Sequence, residues 1–170
     1  MKTNILYKAF MLTMMTVVAM TFTACGGDSD DDDIIPPVKS NYIYVEPCLE
    51  WGSLRTDVKS YMAGSEWKLS TDAAYLLYVN TDRTIEQLYT FSERTSELVS
   101  ARVEYKKYTE EYWQWLVKET EKRYGVTFSI EETDATTGGD TVPAVIGGKQ
   151  VKLTVMKLDG YMFVKYSLNL

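Results

Sequence analysis

The sequence predicts an α+β domain: an antiparallel sheet of up to eight strands with two helices packed on one face. Two segments with apolar residues at helical spacing, one around Leu54–Met62 and one around Tyr112–Tyr124, are each followed by short extended runs. Several of those runs alternate apolar and polar residues, as half-buried strands do, and turn-forming sequences such as Asn80-Thr81-Asp82-Arg83 and Leu158-Asp159-Gly160 join them. The second helix begins about 56 residues after the first, a spacing that suggests a duplicated α-β-β-β-β unit, although the halves share no clear residue-by-residue identity.

The elements follow in order. Ser53 is placed to cap the first helix, in which Leu54, Val58, Tyr61 and Met62 share a face, and Gly64 can adopt the left-handed conformation that stops it. Extended segments are expected at Trp67–Leu69, Ala73–Asn80, Ile85–Ser92 and Leu98–Tyr105. Thr109 opens a stronger helix, with Glu110 and Glu111 in the first turn, where the helix dipole favours anions, and with Arg123 and the cap Gly125 at its end. Val126, Phe128 and Ile130 alternate into a further strand, and Glu131, Glu132 and Asp134 mark its exit into a loop over Thr133–Thr141. Strands at Val142–Ile146, Gln150–Met156 and Tyr161–Leu168 complete the domain. Each helix must bury its apolar stripe and hairpin-linked strands leave one face wet, so both helices are expected on the same face.

The domain spans residues 41–170, and two segments precede it. Residues 1–24 read as a leader: Lys2 and Lys8 precede the apolar run Ala9–Phe22, which at about fourteen residues is shorter than the roughly twenty needed to cross a bilayer. Phe22-Thr23-Ala24-Cys25 resembles the lipobox of bacterial lipoproteins, in which the cysteine thiol takes a diacylglyceryl group and becomes the new N-terminus. The resemblance implies lipidation at Cys25 and a partner in the membrane, which the chain enters by its acyl groups and does not cross; each buried CH₂ contributes about 0.8 kcal/mol. An ordinary secretory signal is the alternative.

Residues 25–40 form an acidic tether, in which Ser29 and Asp30–Asp33 resemble the export signal of Bacteroidota-type surface-exposed lipoproteins of unknown function. That resemblance implies anchoring at the outer membrane with display on the cell surface; a periplasm-facing anchor, with the aspartates merely keeping the linker solvated, is the alternative. Ile34-Ile35-Pro36-Pro37 closes the tether in extended geometry.

Charge and composition narrow the chemistry. Removing Lys2 and Lys8 from 18 basic residues leaves 16 against 24 acidic ones, and five of those acids, Asp28 and Asp30–Asp33, belong to the tether. The folded part is mildly acidic without a basic stripe, so nucleic acid is not an expected partner. The chain has no histidine, which excludes Ser-His-Asp and Cys-His nucleophiles and His-ligated metals. With Cys25 acylated, Cys48 stands alone as a small core residue, and neither thiolate zinc sites nor CxxC redox motifs can form. No cofactor and no metal are expected. The remaining catalytic vocabulary is carboxylates: Glu110-Glu111, Glu131-Glu132 with Asp134, Asp57, Glu66 and Asp72. Sequence neighbours point apart, whereas a glycosidase needs two carboxyls converging across a cleft, so no catalytic residues are assigned.

Binding is the favoured class. At 100° per residue Tyr112, Trp113, Leu116, Val117 and Tyr124 gather on the core face of the second helix, whereas Trp115 points the other way, with Tyr108 on roughly the same outer side. Tyr108 and Trp115 are the candidate interface anchors, unless the tether or a loop covers that face. Pro47-Cys48-Leu49-Glu50-Trp51-Gly52, with Val58-Lys59 and Met62, resembles the opening of small Bacteroidota lipoproteins, and the element order resembles BamE and β-lactamase-inhibitor-protein-like domains. Those resemblances imply a compact scaffold for protein contact with no catalytic residues. Asp140-Thr141-Val142 matches the acceptor pattern of Bacteroidota O-glycosylation and makes Thr141 a candidate modification site. The expectation is a non-enzymatic, lipid-anchored envelope module that binds a protein or a glycan. The alternatives are a small carboxylate-dependent hydrolase and a structural or assembly lipoprotein of the outer membrane.

Overall fold

Burial alternates residue by residue along the strand Ile85–Phe91, so one side of the chain is apolar and packed while the other is wet. The same alternation runs along residues 101–106 and 151–158 in the computed structural model, which describes residues 41–134 and 136–169. The leader, Cys25 and the acidic tether lie outside the described residues. Helix α1 (Arg55–Met62) is followed by β1 (Lys68–Asp72), β2 (Tyr75–Val79), β3 (Ile85–Phe91) and β4 (Leu98–Lys106). Helix α2 (Glu110–Tyr124) is followed by β5 (Glu131–Asp134), β6 (Thr137–Ile146), β7 (Lys149–Leu158) and β8 (Tyr161–Leu168). The strands form one eight-stranded sheet in the order β1-β2-β3-β4-β8-β7-β6-β5, antiparallel at every step. The fold is therefore α+β with an antiparallel sheet and two helices.

Register places the buried residues in rows across the strands. Leu76 lies opposite Tyr89, Tyr89 opposite Ala101, Ala101 opposite Tyr166 and Tyr166 opposite Leu153. These residues belong to one core cluster that also contains Val58 and Met62 of α1 and Trp113 and Leu116 of α2. Leu98, Leu116 and Leu153 are fully buried, positions at which truncation to alanine typically costs about 2–5 kcal/mol. On the opposite face Arg102 reaches Glu104 at 3.1 Å and lies over the Phe163 ring, 5.4 Å from its centroid.

The helix ends follow their residues. In α2, Thr109 Oγ1 accepts the Tyr112 N–H, Glu110 and Glu111 fill the first turn, and Gly125 closes the helix at φ +63°. In α1 the cap falls one residue later than Ser53. Ser53 O accepts Leu98 N–H and Leu54 bridges Glu97, so this stretch is held by the sheet, and Asp57 secures the helix start by accepting Leu54 N–H. Val58 and Met62 are buried as expected, whereas Leu54 and Tyr61 of the same predicted stripe are exposed.

The second half departs from the expectation between Val126 and Thr141. Residues 126–130 form no strand: Phe128 N–H is taken by Glu121 Oε1 and Ser129 N–H by Asp140 Oδ2, so side chains occupy donors a sheet ladder would need. The expected loop over 133–141 is instead the hairpin of β5 and β6, with Glu131 opposite Gly139 and Glu132 opposite Gly138. Gly139 belongs in that strand because a Cβ there would lie 2.5 Å from Val155 O and 3.0 Å from Met156 Cα. Glu131, Glu132 and Asp134 thus belong to an edge strand and do not mark an exit into a loop.

Candidate functional site

The polar chemistry of the core is built from tyrosines. Tyr89 on β3, Tyr105 on β4 and Tyr166 on β8 belong to the core cluster at 0%, 1% and 0% exposure. Their hydroxyls need partners at that depth, and the irregular segment Tyr42–Glu50 supplies them. Val45 N–H donates to Tyr105 Oη at 3.0 Å and Cys48 N–H to Tyr89 Oη at 3.1 Å. From α2, Tyr112 donates its hydroxyl to Ile43 O at 2.7 Å. The Tyr44 and Tyr166 hydroxyls meet at 2.7 Å, and Tyr124 joins them at 3.3 Å while donating to Glu46. Arg123 closes this end with its guanidinium 4.2 Å from the Tyr44 ring centroid. The segment is a strap whose backbone is bonded to side-chain hydroxyls where a sheet strand would bond to backbone. Desolvation pushes the phenols of Tyr44, Tyr89, Tyr105, Tyr124 and Tyr166 above their ordinary range, so they remain neutral and available for these bonds at any physiological pH.

The two candidate anchors go to different neighbours. Tyr108 is half-buried and donates its hydroxyl to Leu158 O at 3.2 Å. Trp115 is also half-buried, with Tyr42 of the strap 5.7 Å and Tyr112 5.9 Å away between ring centroids. Tyr42 and Tyr112 stack at 4.6 Å and 6°, so three rings form one surface patch beside Ile43, which is 57% exposed. Helical periodicity sets Trp115 and Tyr108 apart from the core stripe, but both pack against the core cluster, and the periodicity holds no sign of the strap that returns from Tyr42 to meet Trp115. Thr141 stands exposed on β6, not in a loop, and its Oγ1 is 2.9 Å from Thr154 Oγ1.

Four of the carboxylates singled out by sequence, Glu110, Asp57, Asp72 and Glu111, have local partners. Glu110 pairs with Lys157 at 3.0 Å; Lys157 is 2% exposed and its ammonium lies 6.0 Å from the Trp113 ring centroid. Asp57 caps α1, and Asp72 is held below the usual carboxylate range by Lys59 and Arg55. Glu111 is also lowered, by its own backbone N–H and by the Thr109 hydroxyl. Cys48 is buried, and burial raises its thiol. Among the described residues, no group of three or more His, Cys, Asp or Glu is placed to hold a metal ion, and no helix is long and apolar enough to cross a membrane. Comparison with known proteins finds no matching family model, no matching curated protein and no matching solved structure.

Proposed function

We propose that this chain is a lipid-anchored cell-envelope protein, displayed at the surface of the outer membrane, whose domain binds another protein or a glycan and catalyses no reaction. The observation that supports a binding role is the aromatic patch of Tyr42, Tyr112 and Trp115. Its rings are already ordered against one another, so a partner gains their contact area at small entropic cost. Tyr108 belongs to the same reading as a second contact residue on the α2 side.

The scaffold we propose has both helices on one face of a duplicated unit. Two helix contacts support this packing: Met62 Sδ lies 3.6 Å from Tyr89 Oη, and the Tyr112 ring meets the Tyr105 ring edge-on at 5.7 Å. Tyr89 and Tyr105 are on the same side of the sheet. The strand order supports the duplication, because β4 and β8 lie together at the centre and β1 and β5 at the edges. Cys25 supplies the membrane anchor, and Thr141 is accessible for a glycan.

Crosslinking and affinity capture of the intact lipoprotein from its own cells tests the reading, comparing wild type with Trp115→Ala and with Cys25→Ala. We expect a defined partner that the Trp115 variant loses, and release of the Cys25 variant from the membrane fraction. Capture unchanged by Trp115→Ala would remove the patch from the proposal. A Cys25 variant that stays membrane-bound would remove the lipid anchor.

A further inference from the structure

At the opposite end of the sheet from Trp115 lies a concavity of about 450 Å³, within the roughly 300–1,000 Å³ range of small-molecule sites. It is bounded by Trp51, by the β3–β4 loop carrying Arg94, Thr95 and Glu97, and by Lys149 at the start of β7. Leu98 and Leu168 give it an apolar floor. Leu98 and Tyr105 are seven residues apart on β4, about 23 Å at ~3.3 Å per residue, so this site is separate from the aromatic patch. We infer that it binds a carboxylate-bearing sugar, of the uronic acid class.

The Trp51 ring and the backbone of the Arg94 loop are fixed before any ligand arrives. Trp51 donates its indole N–H to Ile146 O at 3.0 Å, and a Cβ at Gly147 would lie 3.5 Å from Trp51 Cδ1, so the ring is held between the end of β6 and the turn that follows. That ring presents a flat, electron-rich surface to the polarised C–H face of a pyranose. The loop bearing Arg94 is pinned by Ser92 N–H to Glu97 O and Ser96 N–H to Ser92 O, both at 2.8 Å, and by Thr95 N–H to Ser92 Oγ at 3.2 Å. Gly147 and Gly148 adopt left-handed φ values of +59° and +72°, and the turn they form delivers Lys149 to the cavity. Arg94 and Lys149 are among the cations that make no ion pair among the described residues.

The composition of the cavity selects the ligand class. A bare anion would engage Arg94 and Lys149 but leave Trp51 and the Leu168 floor without function. A neutral sugar would stack on Trp51 and donate hydroxyls to Glu97, yet leave two cations uncompensated. A uronate uses all of them: its carboxylate meets Arg94 and Lys149, its ring covers Trp51, and its hydroxyls reach Glu97 and Thr95. The lining carries Arg94 and Lys149 against Glu97, two positive charges and one negative, on a chain whose formal net charge is −6.

Isothermal titration of the full-length protein in detergent decides the matter. The probes are D-glucuronate and D-galacturonate, with D-glucose as the neutral counterpart and acetate and inorganic phosphate as bare anions. We expect saturable binding of at least one uronate, weaker by roughly tenfold or more for glucose, acetate and phosphate, and falling as salt rises. Arg94→Ala and Lys149→Ala, both at exposed positions and expected to leave the circular dichroism unchanged, should each weaken uronate binding by about tenfold. Trp51→Ala should abolish it while Trp115→Ala leaves it intact. Equal affinity for glucose and glucuronate, equal affinity for phosphate, survival of binding in the Arg94→Ala, Lys149→Ala double variant, or no uronate binding at all would each overturn the inference. None of these outcomes alters the reading of the Trp115 patch, whose test is partner capture.

Discussion

Raising the pH above 10 is the perturbation to which the buried tyrosines respond most directly. Desolvation lifts the phenols of Tyr44, Tyr89, Tyr105, Tyr124 and Tyr166 in the folded chain, whereas in the unfolded chain they titrate near the ordinary value of about 10. Above that pH the unfolded chain binds fewer protons than the folded one. Stability is therefore fully present below pH 10 and falls as pH climbs toward the folded values. A single such group changes stability by up to about 1.4 kcal/mol per pH unit, so five together give up to about 7 kcal/mol per unit, the scale of the ~5–15 kcal/mol that holds a whole domain. Unfolding should thus be complete within about two pH units above 10, in one steep step. Tyrosinate absorbance and far-ultraviolet circular dichroism, followed together, provide the assay. The largest gain in absorbance should coincide with loss of the dichroism signal. A smooth titration of every tyrosine while the dichroism stays native would show that these hydroxyls are not buried donors, and the account of the strap would fall with it.

Tyr105→Phe keeps the ring but leaves Val45 N–H without an acceptor, which should cost about 1–3 kcal/mol and lower Tm by roughly 5–10 °C; an unchanged Tm would mean water replaces the hydroxyl freely. Gly139→Ala drives a methyl group into Val155 O and should destabilise by about 1–3 kcal/mol, read as a lower urea midpoint at unchanged slope. A chain shortened to begin at Asn41 should melt with the full-length protein, whereas one beginning at Ser53, lacking the strap, should lose its cooperative transition; equal melting of the two would make the strap dispensable.

Much of this fold was legible because its signals are local. Thr109, Glu110, Glu111 and Gly125 bracket α2, and the alternation through Ile85, Gln87, Tyr89 and Phe91 is a strand whose buried face happens to include one glutamine. That glutamine is tolerated because Tyr89 donates to its Oε1 at 2.6 Å, a pairing of residues i and i+2 that share one strand face. The reading failed where long-range contacts override composition. Gly138 and Gly139 look like a loop, but the close approach of β7 requires a residue without a side chain in β6. Val126, Phe128 and Ile130 alternate, but Glu121 and Asp140 take the backbone donors of Phe128 and Ser129. For the candidate sites, the helical wheel singled out Trp115, yet neither the strap beside it nor the convergence of Arg94, Lys149 and Trp51 leaves any periodic trace. Those residues are brought together only by two distant turns and the start of the domain.

The strap links the proposed anchor to the proposed contact surface in a way that neither feature has alone. Tyr42 and Ile43 follow Asn41 at the start of the described residues, and both belong to the aromatic patch, so the patch exists only while the strap is docked. A partner that covers Tyr42 and Trp115 binds the docked form and has no equivalent site on a chain whose strap has peeled away. By mass action it holds the strap down by RT ln(1 + [L]/Kd), about 2.7 kcal/mol at a hundredfold excess over Kd. With the chain anchored as proposed at Cys25, tension along the tether would act on the same residues in the opposite sense, since the bonds nearest the tether among the described residues are those between Ile43 and Tyr112. Under that proposal, engagement of the patch and load on the tether would oppose each other through one short segment. The depth of the tyrosine hydroxyls beneath Val45 and Cys48 sets how far that contest can proceed before the core itself opens.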